Sequence, residues 1–129
     1  MKKLRILLRV VGVVQLVLGA AYLFVPEAFM ASMKLSPAPT DTNYALGMLA
    51  ARFIAYGIGM FVIARDPVRN LFWIKNMILI QLIDLAVGVF YTANGTVSVS
   101  SSAFPMFDAV LIAGLLFLWS PKQITSPAN

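Results

Sequence analysis

Four long apolar runs fill most of this 129-residue chain and constrain its fold more than any other feature. A helix needs roughly 20 apolar residues to cross about 30 Å of hydrocarbon. We predict four such helices, at about 4–25, 44–64, 70–92 and 104–119. With their connections they use the whole chain. The expected fold is therefore all-α: a polytopic membrane protein with an up-and-down bundle of four transmembrane helices in a single domain, 1–129.

The composition removes most catalytic chemistries. Hydrophobic residues make up 60% of the chain, charged residues only 12%, and the mean hydropathy is +0.87. Cysteine and histidine are both absent, which removes disulfides, thiol chemistry, ordinary zinc sites and the commonest general base. We find no catalytic constellation and predict neither an enzyme activity, a metal site nor a cofactor. A bound lipid, quinone or pigment is compatible with the sequence.

The net charge of +5 concentrates at the ends of the apolar runs. Basic residues in such places orient helices and contact anionic lipids, so they do not indicate nucleic-acid binding. The predicted partners are the lipid bilayer and other integral membrane subunits. Arg52 lies inside a helix, and eight of the other nine basic residues fall on one side of the predicted topology: Lys2, Lys3, Arg5, Arg9, Arg65, Arg69, Lys75 and Lys122. Lys34 alone lies opposite, which predicts a multi-pass protein with both termini cytoplasmic.

The first apolar run resembles a signal peptide, because Lys2 and Lys3 precede it and the small residues Gly19-Ala20-Ala21 near its end could form a cleavage site. It extends as far as Val25, beyond the usual length of a signal sequence, so we expect a retained helix. In the connection after it, Pro26 and Glu27 suit the first turn of a short interfacial helix. An irregular apolar loop is the alternative. Further on, Asn94-Gly95 predicts a turn.

Two ionisable residues, Arg52 and Asp84, interrupt the second and third apolar runs at similar predicted depths. A charge at the centre of a bilayer costs about 2.5–3.5 kcal/mol on insertion scales, so a pair facing the bundle interior is expected. We predict an Arg52–Asp84 ion pair within a buried polar cluster that also contains Asp108, Gln15 and Gln81. The cluster either fixes helix register or forms a site.

Small residues recur every four positions along the second predicted helix. This pattern lets helix backbones approach closely in membranes. Internal packing is the simpler interpretation, with a protein–protein surface as the alternative. The four residues, called here the α3 ridge, are Gly47, Ala51, Ala55 and Gly59.

Several short motifs lie along nearly the whole chain: Arg9, Phe24-Val25-Pro26-Glu27, Ala51-Arg52-Phe53, Ala64 to Asn70, and Asp84. In this arrangement the sequence resembles the small bacterial four-helix membrane proteins of the BphX and DoxX-like type. The resemblance implies a four-helix bundle in the bacterial inner membrane and an accessory role in membrane oxidoreductase systems. It implies no defined catalytic residues.

The sequence leaves two main functions open. The first is a non-catalytic accessory subunit that packs in a larger membrane complex of the electron-transfer or photosynthetic type. The second is a small dimeric carrier of apolar or cationic solutes, coupled to protons through Arg52 and Asp84.

Overall fold

The computed structural model describes residues 1–122 and consists of helices joined by short connections. Its five helices are α1 (Lys2–Phe24), α2 (Pro26–Ser32), α3 (Thr42–Ile63), α4 (Leu71–Ala93) and α5 (Val99–Trp119). All except α2 are long and apolar enough to cross a membrane, which confirms the predicted fold class. At a rise of 1.5 Å per residue, these four helices are about 32–35 Å long.

The helices pair as two antiparallel hairpins, with α1 on α3 and α4 on α5. Glycines set the first crossing: a Cβ on Gly19 would lie 2.7 Å from Cγ1 of Ile54 and 3.2 Å from the Ala50 carbonyl oxygen. In the second hairpin, a Cβ on Gly88 would lie 2.7 Å from Cγ of Met106. Both pairs therefore depend on the absence of a side chain at a specific position.

The apolar core lies at one end of the bundle, which we call the basic end. This end carries the start of α1, the α3–α4 connection and the end of α5. Side chains from both hairpins meet there, including Leu8, Met60, Met77 and Leu116. Contact between the two hairpins is mainly between α1 and α5. The opposite, or far, end carries α2 and the α4–α5 connection, and the buried apolar cluster does not extend to it.

The first far-end connection contains the short helix that the sequence predicted. Pro26 occupies the first turn of α2 together with Glu27. Lys34 adopts a positive φ of 60° just after the helix ends. Tyr22 holds α2 against the first hairpin, since its ring contacts Phe29 edge-on at 4.9 Å and stacks on Phe53 at 5.8 Å.

The last helix begins earlier than predicted, at Val99 instead of near residue 104. Ser98 is its N-cap, and its hydroxyl accepts a hydrogen bond from the Ser101 amide at 3.3 Å. Pro105 consequently lies inside the helix and not in its first turn. The predicted turn at Asn94-Gly95 is present, with Gly95 at a φ of 82°.

Candidate functional site

Two glutamines form a polar layer next to the apolar core. Gln15 on α1 and Gln81 on α4 are each only 4% exposed. Gln81 Nε2 lies 3.5 Å from the sulfur of Met77, which is a weak acceptor. No buried side-chain nitrogen or oxygen lacks a partner within residues 1–122. The interior thus changes from apolar side chains to amides on moving away from the basic end.

Asp84 lies one helical turn beyond Gln81 on α4 and is exposed. Its carboxyl group is close enough to the Tyr22 hydroxyl for its charge to act on that group. Tyr22 lies on α1, in the other hairpin. The sequence did not identify Tyr22 as part of a candidate site. Its stacking on Phe53 fixes its position in the bundle.

The predicted Arg52–Asp84 ion pair is wrong. Arg52 is exposed, and its Nη1 donates a 2.9 Å hydrogen bond to the carbonyl oxygen of Met48 on its own helix. No carboxylate in the described part of the chain lies within 4.0 Å of its guanidinium. The reason is the pairing of the helices: α3 packs along α1 while α4 packs along α5, so equal depth does not bring the two side chains together.

Asp108 does not join Arg52 either. It is half-buried on α5, and because that helix begins at Val99, Asp108 lies in the third turn and not in the first. The favourable field of a helix N-terminus decays within the first turn, so it does not stabilise a charge on Asp108. The five residues of the predicted cluster are therefore distributed over the interior and its edges without a shared hydrogen-bond network among residues 1–122.

The α3 ridge does not pack inside the bundle, and the prediction of internal packing is wrong. A Cβ on Gly47 or Gly59 would have no neighbouring atom within 4 Å, and Ala51 and Ala55 are exposed. The packed face of α3 instead carries Ala50 and Gly57, seven residues apart, opposite Gly12 and Gly19 of α1. The seven-residue spacing in both helices was present in the sequence and would have identified this contact.

A groove of about 420 Å³ lies at the basic end, where α3 faces the first turn of α4. Ala55 and Gly59 of the α3 ridge form part of its wall, and Tyr56, Ile63, Asn70 and Trp73 also line it. Its volume is in the usual range for small-molecule sites, about 300–1,000 Å³. Sequence reasoning did not identify this groove, because it depends on how the α3–α4 connection folds.

No group of three or more Asp or Glu side chains within residues 1–122 is placed to hold a metal ion. No family model, curated protein or solved structure matches the chain. Function is accordingly inferred from the arrangement of the residues themselves.

Proposed function

We propose that the protein is a non-catalytic subunit that packs against other integral proteins of a bacterial cytoplasmic membrane, with both termini on the cytoplasmic side. The proposal rests on Gly47 and Ala51 of the α3 ridge, which are not packed against another helix within residues 1–122. The resemblance to BphX and DoxX-like proteins supports a complex of the electron-transfer or photosynthetic type. The basic residues at one end of the bundle support the orientation.

The ridge is suited to a partner helix for a physical reason. Lipid chains are as apolar as leucine, so helices associate in bilayers through close backbone approach, and small residues permit it. Gly47 and Ala51 lie on a surface of α3 that neither α1 nor α4 covers. The close crossing of α1 and α3 uses other glycines, Gly12, Gly19 and Gly57, which leaves Gly47 and Ala51 available.

The test is isolation of the tagged protein in mild detergent, followed by native electrophoresis and mass spectrometry. We expect a reproducible larger complex, and we expect Gly47→Leu to remove it. Gly114→Leu is the matched control, because a Cβ there also meets no atom within 4 Å but lies on α5. Recovery of a lone monomer from native membranes with no specific partner would contradict the proposal.

A second candidate function is supported by Asp84. Its carboxyl group is exposed and forms no ion pair within residues 1–122. Ionisable residues within membrane helices often mark ion or substrate pathways. A small dimeric carrier would use Asp84 and Arg52 to couple protons to the transport of an apolar or cationic solute.

Uptake into vesicles distinguishes this carrier from a passive subunit. The carrier predicts proton-driven uptake of ethidium by the reconstituted protein, and loss of that uptake in Asp84→Asn. Uptake that persists in the Asp84→Asn variant would contradict proton coupling through Asp84. Absence of uptake by the unaltered protein would contradict a carrier function altogether.

A further inference from the structure

We propose that the groove at the basic end binds one anionic phospholipid, with an acyl chain along α3 and the phosphate at Arg65 and Arg69. The site is separate from the proposed contact with a partner protein at Gly47 and Ala51. It rests on the shape of the groove, on the charges beside it and on the position of Trp73.

The wall of the groove suits an acyl chain. Ala55 and Gly59 present no side chain beyond a methyl group, and the space in front of Gly59 is empty for at least 4 Å from a Cβ position. Tyr56 and Ile63 close the groove on its other sides. An open apolar groove along a transmembrane helix matches a hydrocarbon chain, which needs contact area and no hydrogen bonds.

The polar end of the groove carries positive charge. Residues 62 and 63 at the end of α3 and residues 70 and 73 at the start of α4 line it, so the 64–69 connection lies at its mouth. Arg65 and Arg69 in that connection are both exposed, and neither forms an ion pair within residues 1–122. A phosphate at the mouth would therefore have two guanidinium groups within the same connection.

The one acidic residue in the connection is already engaged by the backbone. Asp66 Oδ1 accepts a 3.2 Å hydrogen bond from the Arg69 amide, and the Asp66 carbonyl accepts one of 2.8 Å from Asn70 Nδ2. These bonds fix the turn, and Pro67 at its centre is buried. The mouth of the groove is thus held in shape while its arginines stay free, which is the charge complement of an anionic headgroup.

Trp73 sets the level of the headgroup. Its indole is 47% exposed and lines the groove one turn from Arg69. Tryptophan side chains concentrate at the membrane interface, where lipid headgroups begin. The order along the groove is therefore arginine, tryptophan and then small apolar residues, which follows the order of phosphate, glycerol and acyl chain in a phospholipid.

The test is native mass spectrometry of the delipidated protein titrated with phosphatidylglycerol or phosphatidylcholine in one detergent. We expect saturable binding of one phosphatidylglycerol molecule and weaker binding of phosphatidylcholine. Arg65→Gln and Arg69→Gln should each weaken phosphatidylglycerol binding about fivefold, given the usual contribution of one basic residue near an anionic lipid surface. Neither substitution should change binding of phosphatidylcholine.

Filling the groove tests the acyl-chain part. Gly59→Leu should weaken binding of both lipids, whereas Gly47→Leu and Gly114→Leu should leave it unchanged, since those glycines lie outside the groove. Unaltered unfolding temperatures would show that all three variants fold. Equal binding of both lipids by the unaltered protein, or no effect of Gly59→Leu, would overturn the proposal. If Gly59→Leu removed the protein complex but left lipid binding unchanged, the proposal would also be wrong, and the groove would bind a partner helix instead.

Discussion

Gly12 on α1 and Gly57 on α3 lie against each other so closely that neither position has room for a side chain. A Cβ on Gly12 would lie 3.0 Å from the carbonyl oxygen of Gly57, and a Cβ on Gly57 would lie 3.0 Å from that of Gly12. Such distances are below ordinary van der Waals contact. The reciprocal approach brings the backbones of α1 and α3 together and fixes the register of the first hairpin.

Gly57→Leu should therefore destabilise the protein. The new side chain would meet Leu16 Cγ, which lies 2.8 Å from the Cβ position, as well as the backbone of α1. Overpacking of this kind costs typically about 1–3 kcal/mol. Thermal unfolding in detergent measures the effect, with Gly114→Leu as the control in open space. Equal unfolding temperatures for the two variants would contradict the α1–α3 crossing.

Arg52 and Asp84 should contribute to stability independently of each other. Each belongs to a different hairpin, and Arg52 is bonded to the Met48 carbonyl. In a double-mutant cycle with Arg52→Gln and Asp84→Asn, the coupling free energy should stay within about 0.5 kcal/mol, as for residues that share no partner. Unfolding in denaturant measures it. A clearly larger coupling free energy would show that Arg52 and Asp84 do form an ion pair.

Thr92 should hold α4 to α5 at the far end of the bundle. Its hydroxyl lies 2.7 Å from the hydroxyl of Ser102, a residue that is only 7% exposed. Hydrogen bonds between membrane helices contribute on average about 0.6 kcal/mol, so Thr92→Val should lower stability by that order. Thr96→Val, in the exposed connection, is the control and should have no effect. Additive losses for Thr92→Val and Ser102→Ala would argue against the bond.

The orientation in the membrane is open to direct labelling, because the chain contains no cysteine. Single cysteines at Lys2 and Lys122 should react with an impermeant maleimide only after the cells are permeabilised. Cysteines at Lys34 and Thr96 should react in intact cells, because an even number of spans separates them from each other and an odd number from the termini. The reverse labelling pattern would show that both termini lie outside the cell. Labelling of all four sites in intact cells would contradict the four-span topology.

The helices themselves could be predicted from sequence, since length and hydropathy suffice to identify spanning segments. The short α2 helix was also predictable, because Pro26 and Glu27 are typical of a first turn. The start of α5 was missed because the Ser-rich stretch before Pro105 was interpreted as a loop. Ser98 offers the N-cap signal there, and proline is tolerated inside membrane helices more often than in soluble ones.

The pairing of the helices could not be predicted from depth alone. Arg52 and Asp84 lie at similar distances from the ends of their helices, but α3 packs on α1 and α4 on α5. Hydropathy carries little information about which apolar face meets which, because lipid and protein surfaces are equally apolar. Helix α3 carries two patterns of small residues, the α3 ridge with four-residue spacing and the pair Ala50 and Gly57 with seven-residue spacing. The pair with seven-residue spacing forms the internal contact.

The most direct measurement of the proposed role is photo-crosslinking in native membranes. A photoreactive phenylalanine analogue at Ala51 would lie on the exposed α3 ridge, and the same analogue at Gly114 would lie on the lipid-facing side of α5 as the control. We expect position 51 to crosslink to one specific membrane protein other than this chain, and position 114 not to do so. Crosslinks from position 51 only to lipid, or only to a second copy of this chain, would contradict it.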